Sequence, residues 1–218
     1  LVILLMFPLL PSGIAAPVGD GRSPGVADAM LKADFWLAKL SSPRQAVLDP
    51  AGIVAFNRAI VQALPQAVVD LDEFPLAVGR ASLRQWLAAD RLPRGQERYS
   101  DGTLLTAGFY DQLERNLNLQ AIRDANPVAW GFVVRRSDLR TFPTDAAASE
   151  DDESDDFDLF QETAVNIAEP LAVLHRSADG KWLYVHLVNY RGWLRSDDVA
   201  MAADRQPWQA RRALPSVV

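Results

Sequence analysis

The chain has 218 residues, of which 49% are apolar and 23% are charged, a composition typical of one or two folded domains and not of a disordered polymer. Its formal net charge of −6 argues against a general nucleic-acid binder, because neutralising phosphates requires a surplus of Lys and Arg. The sequence contains no cysteine, which excludes disulfides, thiolate zinc sites and cysteine nucleophiles among these residues.

The first ten residues form an apolar run that is followed by small residues. This pattern is typical of the hydrophobic core and cleavage zone of a secretory signal peptide. The run is too short to span a bilayer as a stable helix, and Pro8 and Pro11 disfavour a buried strand or helix. We therefore predict a partial signal peptide over residues 1–17, export to the periplasm or cell surface, and no integral membrane segment after cleavage.

A helical region is predicted over residues 34–126, after a linker over residues 18–33 that is rich in Gly, Pro and Asp. Two pairs, Ser42-Pro43 and Asp49-Pro50, place an N-cap residue directly before proline, so each predicts a helix start. Further along, apolar residues recur every three to four positions, which predicts amphipathic helices that pack on a core.

Beyond Pro127 the apolar spacing changes from about 3.6 to about 2, which predicts an all-β unit over residues 127–203. An acidic insertion over residues 145–158 interrupts this unit. Seven acids lie within its residues 150–158, namely Glu150, Asp151, Asp152, Glu153, Asp155, Asp156 and Asp158. We interpret the insertion as a solvated surface loop, because a calcium loop through Asp151, Asp155 and Asp158 would lack the central Gly and closing Glu of an EF-hand.

The pair Asp179-Gly180 predicts a β-hairpin with a two-residue type I′ turn. The predicted register pairs Ser177 with Trp182, His175 with Tyr184 and Val173 with His186. The residues predicted to face the core are Leu174, Leu183, Val185 and Leu187. The opposite face carries His175, Trp182, Tyr184 and His186, and we expect it to contact another domain or a ligand.

Residues 204–218 end on an apolar Leu-Pro-Ser-Val-Val sequence, which predicts the start of a further domain that is cut short. The two histidines, His175 and His186, could meet on one hairpin face. No third ligand has an obvious place beside them, so we predict no metal site and no cofactor.

No catalytic centre is predicted in this chain. A serine hydrolase would need an elbow such as G-x-S-x-G, which is absent. Paired carboxylates for glycoside hydrolysis are compatible with the composition, but no pair stands apart from the acidic insertion.

Five segments carry a resemblance to a known family. They are Asp34–Leu40, Phe109–Leu119, Val134–Thr144, Phe157–Thr163 and Asn189–Trp193. In this order they resemble the front half of secreted NlpC-type cell-wall peptidases that contain bacterial SH3 (SH3b) domains. The resemblance implies an α+β chain, with a small N-terminal helical region that stabilises the fold and then an SH3-like (SH3b) β-barrel over residues 127–203.

The same resemblance implies that a second SH3b domain and a papain-like catalytic domain with a Cys nucleophile and His partners follow. Enzymes of this kind cut the γ-D-glutamyl to diamino-acid bond of peptidoglycan stem peptides. This sequence stops about where the second SH3b domain would begin. We therefore expect the catalytic Cys and His to be absent from this chain, and its partners to be the stem peptide and the missing domains.

The resemblance also implies two substrate-binding residues, Glu162 and Tyr190. In relatives an acidic residue and a tyrosine contact the free amine of the peptide's first alanine, which suits a carboxylate and a phenol oxygen. The alternative is that Tyr190 and Trp193 pack in the core and that Glu162 is a surface acid. The candidate domain interface or ligand face comprises Trp182, Tyr184, His186 and Trp193.

The leading hypothesis is thus a wall-targeting and substrate-gating portion of an exported peptidoglycan endopeptidase. A stand-alone, non-enzymatic SH3b wall-binding protein is the alternative. A third hypothesis is a periplasmic adaptor that recognises a protein through Trp182 and Tyr184.

Overall fold

The computed structural model describes residues 25–65, 67–90, 103–149 and 157–214, together with the backbone of residues 98 and 99. The predicted signal peptide, residues 18–24 of the linker, the centre of the acidic insertion and the last four residues lie outside this range. The chain forms two compact units, residues 1–53 and 54–218. None of the described helices has the length and apolarity needed to cross a bilayer.

The first unit contains a 3₁₀ turn, η1 (Asp28–Leu31), and helix α1 (Ala33–Leu37), and its described side chains are not buried. Helix α2 (Pro50–Ala63) begins here and continues into the second unit. The predicted N-cap at Asp49 is confirmed, because its Oδ1 accepts a hydrogen bond from the Gly52 N–H at 2.7 Å. The helix predicted at Ser42-Pro43 is wrong: this short segment forms only turns before Pro50, which restricts the residue that precedes it.

Within its described residues, the second unit has three more helices and eleven strands. The helices are α3 (Arg80–Ala89), α4 (Ala107–Asn116) and α5 (Arg205–Arg212), with 3₁₀ turns η2 (Leu119–Ala121) and η3 (Ser196–Asp198). The strands are β1 (Ala77–Gly79), β2 (Arg98–Tyr99), β3 (Ala125–Pro127), β4 (Ala129–Val133), β5 (Ser137–Arg140), β6 (Ala148–Ser149), β7 (Gln161–Val165), β8 (Pro170–Arg176), β9 (Trp182–His186), β10 (Arg191–Arg195) and β11 (Val199–Met201).

Seven of these strands form one antiparallel sheet in the order β11-β4-β8-β9-β10-β5-β7, while β1 pairs with β3 and β2 pairs with β6. The mixed α+β class predicted from the sequence is confirmed, with helices preceding an antiparallel β region. All five residues of β9 are buried, because both faces of the sheet are covered.

One face of the sheet carries an aliphatic core. Its buried members are Val133, Leu139, Val165, Leu171, Val173, Leu183, Val185, Leu187, Leu194 and Val199. The predicted inward orientation of Leu183, Val185 and Leu187 is therefore confirmed. Leu174 was predicted on this face but belongs to the other core, because β8 has a bulge there: Val173 pairs with Val185 and His175 with Tyr184.

Because of the bulge, one of the predicted cross-strand pairs is wrong, and the turn type also differs from the prediction. His175 does oppose Tyr184, but His186 opposes Ala172 instead of Val173. In the turn, the Gly180 N–H donates to the Ser177 carbonyl at 3.0 Å, and Gly180 has φ +72° while Asp179 does not have positive φ. The type I′ prediction is wrong, because that turn needs positive φ at both central residues.

The other face of the sheet packs against the helices in an aromatic core. Helix α3 contributes Leu83 and Leu87, and α4 contributes Tyr110 and Leu113. Helix α5 adds Trp208, whose indole N–H donates to the Gly131 carbonyl at 2.9 Å. The aromatic core thus joins the helices to the same sheet that closes the aliphatic core.

Candidate functional site

The four rings predicted as a domain interface or ligand face lie within the aromatic core. Trp182, Tyr184, His186 and Trp193 are each at most 3% exposed. Helices α3 and α4 and their flanking segments cover them: the His186 ring lies 6.1 Å from that of Trp86, and the His175 Nε2–H donates to the Leu117 carbonyl at 3.0 Å. Contact of this face with a ligand or an external domain remains a prediction.

Asp90, the residue after α3, holds a polar cluster at this junction. The Tyr184 hydroxyl donates to its carboxylate, and the Arg191 Nε and Nη2 each donate to it at 3.0 Å. The Arg191 guanidinium also lies 5.2 Å from the Trp86 ring. Sequence reasoning missed Asp90 and Arg191, because nothing in the sequence pairs residues that are 101 positions apart.

The charges of this cluster are fixed by their surroundings. Burial raises the pKa of Tyr184 and the Asp90 charge raises it further, so the phenol stays protonated. Burial alone would lower the pKa of Arg191, but the hydrogen bonds and charge of Asp90 raise it above its usual value. The cluster is therefore an ion pair with a neutral phenol, which fastens α3 to the sheet and offers no proton to exchange near neutral pH.

His186 is neutral for a similar reason. Burial lowers its pKa to about 4, against the opposing effect of its hydrogen bond to the Leu187 carbonyl. Its Nδ1–H is the donor of that bond, at 2.5 Å. In the part of the chain that the structure describes, no three side chains of the metal-binding types cluster.

Glu162 occupies a special position on β7. The register between β5 and β7 pairs Leu139 with Thr163 and Arg140 with Gln161, so Glu162 is the extra residue of a β-bulge. Its side chain is exposed, and Oε1 accepts a hydrogen bond from the Thr141 hydroxyl at 3.3 Å. Among the described residues Oε2 has no partner, so half of the carboxylate is available to a ligand.

Tyr190 lies in the turn between β9 and β10 and is 40% exposed. The turn is anchored on both sides: the Leu187 N–H donates to the Tyr190 carbonyl at 2.8 Å, and the Val69 N–H donates to the Val188 carbonyl at 2.8 Å. The phenol itself has no hydrogen bond within the described residues. The turn therefore presents the ring on a fixed backbone.

Glu162 lies on β7 and Tyr190 lies in the turn that leads into β10, and β5 separates these two strands in the sheet. Arg140 of β5 pairs with Trp193 on one side and with Gln161 on the other. Gln161, Arg140 and Trp193 are thus cross-strand neighbours, and Glu162 directly follows Gln161. Tyr190 comes three residues before Trp193 in the chain. No hydrogen bond joins Glu162 to Tyr190 in the described structure, so a shared ligand would have to bridge them.

Comparisons with known proteins identify the β region. Residues 146–195 match the family model described as an SH3 domain (SH3b1 type). Among solved structures, the chain is similar to a novel NlpC/P60 endopeptidase from Photobacterium damselae subsp. piscicida, with a TM-score of 0.53 and 17% sequence identity. The similarity covers 77% of this chain and 40% of that chain, so this chain spans less than half the length of that protein. No curated protein matches the sequence.

Proposed function

We propose that this chain is the wall-targeting and substrate-gating portion of an exported peptidoglycan endopeptidase of the NlpC type. The observation that carries the proposal is an SH3b domain, matched over residues 146–195, within a fold similar to an NlpC/P60 endopeptidase. SH3b domains typically bind peptidoglycan. The chain supplies binding and access in this proposal, and the hydrolytic residues would come from a further domain.

Glu162 is the residue we propose to recognise the ammonium group of a stem peptide. A β-bulge re-aims a side chain away from the regular alternation, and bulges are over-represented beside functional sites. Here the bulge presents an exposed carboxylate whose Oε2 is unpartnered among the described residues. A carboxylate of this kind forms a charge-assisted hydrogen bond with an ammonium group.

Tyr190 is proposed to accept a second hydrogen bond from the same ammonium group. Its phenol is exposed and its turn is fixed to the body of the fold through Val69. The neighbouring Arg191 is held by Asp90, which gives the turn a second anchor. A rigid turn reduces the entropy lost when a ligand binds.

A peptide titration tests these roles. The probe is the tripeptide L-Ala-γ-D-Glu-meso-diaminopimelate, compared with the same peptide acetylated on the alanine amine. We expect Glu162→Gln to weaken binding of the free peptide by about fivefold, since an exposed ion pair contributes up to roughly 1 kcal/mol. Tyr190→Phe should weaken it by a smaller factor, and acetylation should remove both effects.

The matched control is Glu73→Gln, because Glu73 is also an exposed acid and is not on β7. Equal binding of the free and the acetylated peptide to the unmodified chain would contradict the proposed roles. Pelleting of the chain with purified peptidoglycan sacculi tests wall binding itself, and failure to pellet would contradict the wider proposal.

The alternative function is a stand-alone SH3b wall-binding protein. One observation favours it: the ring-bearing face of the hairpin is covered by α3 and α4 of the same chain, so this face needs no further domain to be buried. The two functions differ in affinity. A stand-alone binder should pellet with sacculi at low micromolar concentration, whereas a gating portion should need its catalytic partner for tight binding.

A further inference from the structure

A groove beside α4 lies apart from Glu162 and Tyr190. We call it the α4 groove and define it by Arg115 and Asn116 of α4, Asp179 and Lys181 of the β8–β9 turn, and Arg195 at the end of β10. Its volume is about 460 Å³. Phe109 and Trp182 also line it, so the polar rim has an aromatic wall.

Asn116 holds the walls of the α4 groove together. Its Nδ2–H donates to the Pro143 carbonyl at 3.1 Å, its backbone carbonyl accepts from the Ala178 N–H at 3.0 Å, and its Oδ1 accepts from the Asp179 N–H at 3.2 Å. One side chain thus ties the helix to the loop after β5 and to the hairpin turn. The groove is therefore formed before any ligand arrives, which lowers the entropy cost of binding.

Both acidic side chains that line the groove are already engaged inside the protein. Asp145 forms an ion pair with Arg195, whose Nε donates at 2.7 Å. Asp179 Oδ1 accepts from the Ser177 hydroxyl at 2.6 Å and from the Lys181 N–H at 3.0 Å. Partial burial would raise the pKa of Asp179, but these hydrogen bonds and the Lys181 charge lower it below its usual value.

Two cations of the groove remain available. Arg115 and Lys181 are exposed, and their side chains form no hydrogen bond or ion pair within the described residues. Together with Arg195 they make three cationic side chains in the groove lining, against the two acidic ones, Asp145 and Asp179. The lining is therefore locally positive, although the chain has a net charge of −6. Among the described residues, Arg115 and Lys181 are donors without an acceptor, because both carboxylates that line the groove already accept hydrogen bonds from the protein. A ligand that carries a carboxylate would supply the missing acceptor.

We infer that the α4 groove binds a carboxylate group of a wall stem peptide, with Arg115 and Lys181 as its ligands. The choice of a wall peptide rests on the proposed function, whereas the preference for a carboxylate rests on the groove alone. The peptide's aliphatic stems would lie on the partly exposed ring of Phe109. This site is separate from the amine site at Glu162 and Tyr190, so the two could hold one peptide or two.

The test is a titration with L-Ala-γ-D-Glu-meso-diaminopimelate and with the same peptide amidated on its carboxylates. Arg115→Gln and Lys181→Gln should each weaken binding of the acidic peptide about three- to fivefold, the effect expected for exposed ion pairs. Binding of the amidated peptide should be weak and unchanged by either substitution. The matched control is Arg136→Gln, because Arg136 is exposed and does not line the groove.

Each outcome decides the inference. Loss of affinity in the two groove variants but not in Arg136→Gln supports it, even if the chain fails to pellet with sacculi and the wider proposal falls. Unchanged affinity in both groove variants, or no binding of the acidic peptide, overturns it while leaving sacculus pelleting as a separate measurement. A linear Asp- and Glu-containing α-peptide that binds as tightly as the stem peptide overturns the wall assignment. Equal melting temperatures of all variants exclude unfolding as the cause.

Discussion

The two faces of the seven-stranded sheet differ in chemistry. One carries a core of aliphatic side chains, and the other packs aromatic rings against α3, α4 and α5. The Asp90–Arg191 ion pair lies on the aromatic face. The two faces therefore contribute differently. The aliphatic face contributes mainly stability, while the ion pair also fixes where α3 docks on the sheet.

The largest expected effect is on the aliphatic face. Leu183→Ala should lower the free energy of unfolding by about 4 kcal/mol, because Leu183 is 1% exposed and its removal leaves a cavity in a closed core. Denaturant unfolding followed by circular dichroism measures the loss. Leu214→Ala, at a 63% exposed position, is the control and should change stability little. A loss below about 1 kcal/mol for Leu183→Ala would show that this core can collapse around the gap.

The ion pair on the opposite face should come next. Asp90→Ala should cost about 3 kcal/mol, because it leaves the guanidinium of Arg191 without its partner in a partly buried setting. Asp124→Ala breaks the exposed pair with Arg80 and should cost less than about 1 kcal/mol. The same denaturation measurement applies to both. Equal losses of stability in Asp90→Ala and Asp124→Ala would show that the Asp90–Arg191 pair contributes no more than an exposed surface ion pair.

Acid should act on the aromatic face through His186. Its pKa is about 4 in the folded chain, against an ordinary value of 6.5, so the unfolded state binds the proton more readily between these limits. This contribution to stability is fully present above pH 6.5 and is lost as the pH falls toward 4, amounting to about 3 kcal/mol. His186→Gln should flatten this part of the curve. An unchanged curve for the variant would assign the acid sensitivity to other groups.

The smallest effect is expected from the phenol of the cluster. Tyr184→Phe removes one hydrogen bond to Asp90, but the two from Arg191 remain, so the carboxylate stays paired. We expect a loss of about 1 kcal/mol. The double variant with Asp90→Ala should lose less than the sum of the single losses, since the two groups share one interaction. If the two losses of stability were fully additive, the hydrogen bond between Tyr184 and Asp90 would be contradicted.

Local patterns predicted much of the fold. The switch of apolar spacing near Pro127, the N-cap at Asp49 and the inward Leu183, Val185 and Leu187 all follow from interactions within a few residues of the chain. Less of the candidate site could be predicted from local patterns. Glu162 and Tyr190 were proposed by resemblance, and the bulge at Glu162 is not encoded in any spacing that the sequence displays.

By itself, then, the sequence determined the α+β class and the face of the hairpin that holds the aliphatic core, because side-chain alternation is a local property of an extended chain. Only the tertiary structure decided the bulges at Leu174 and Glu162 and the pairing of Asp90 with Arg191. These depend on which helix covers which strand, since a buried charge is stable only where a distant segment brings its partner.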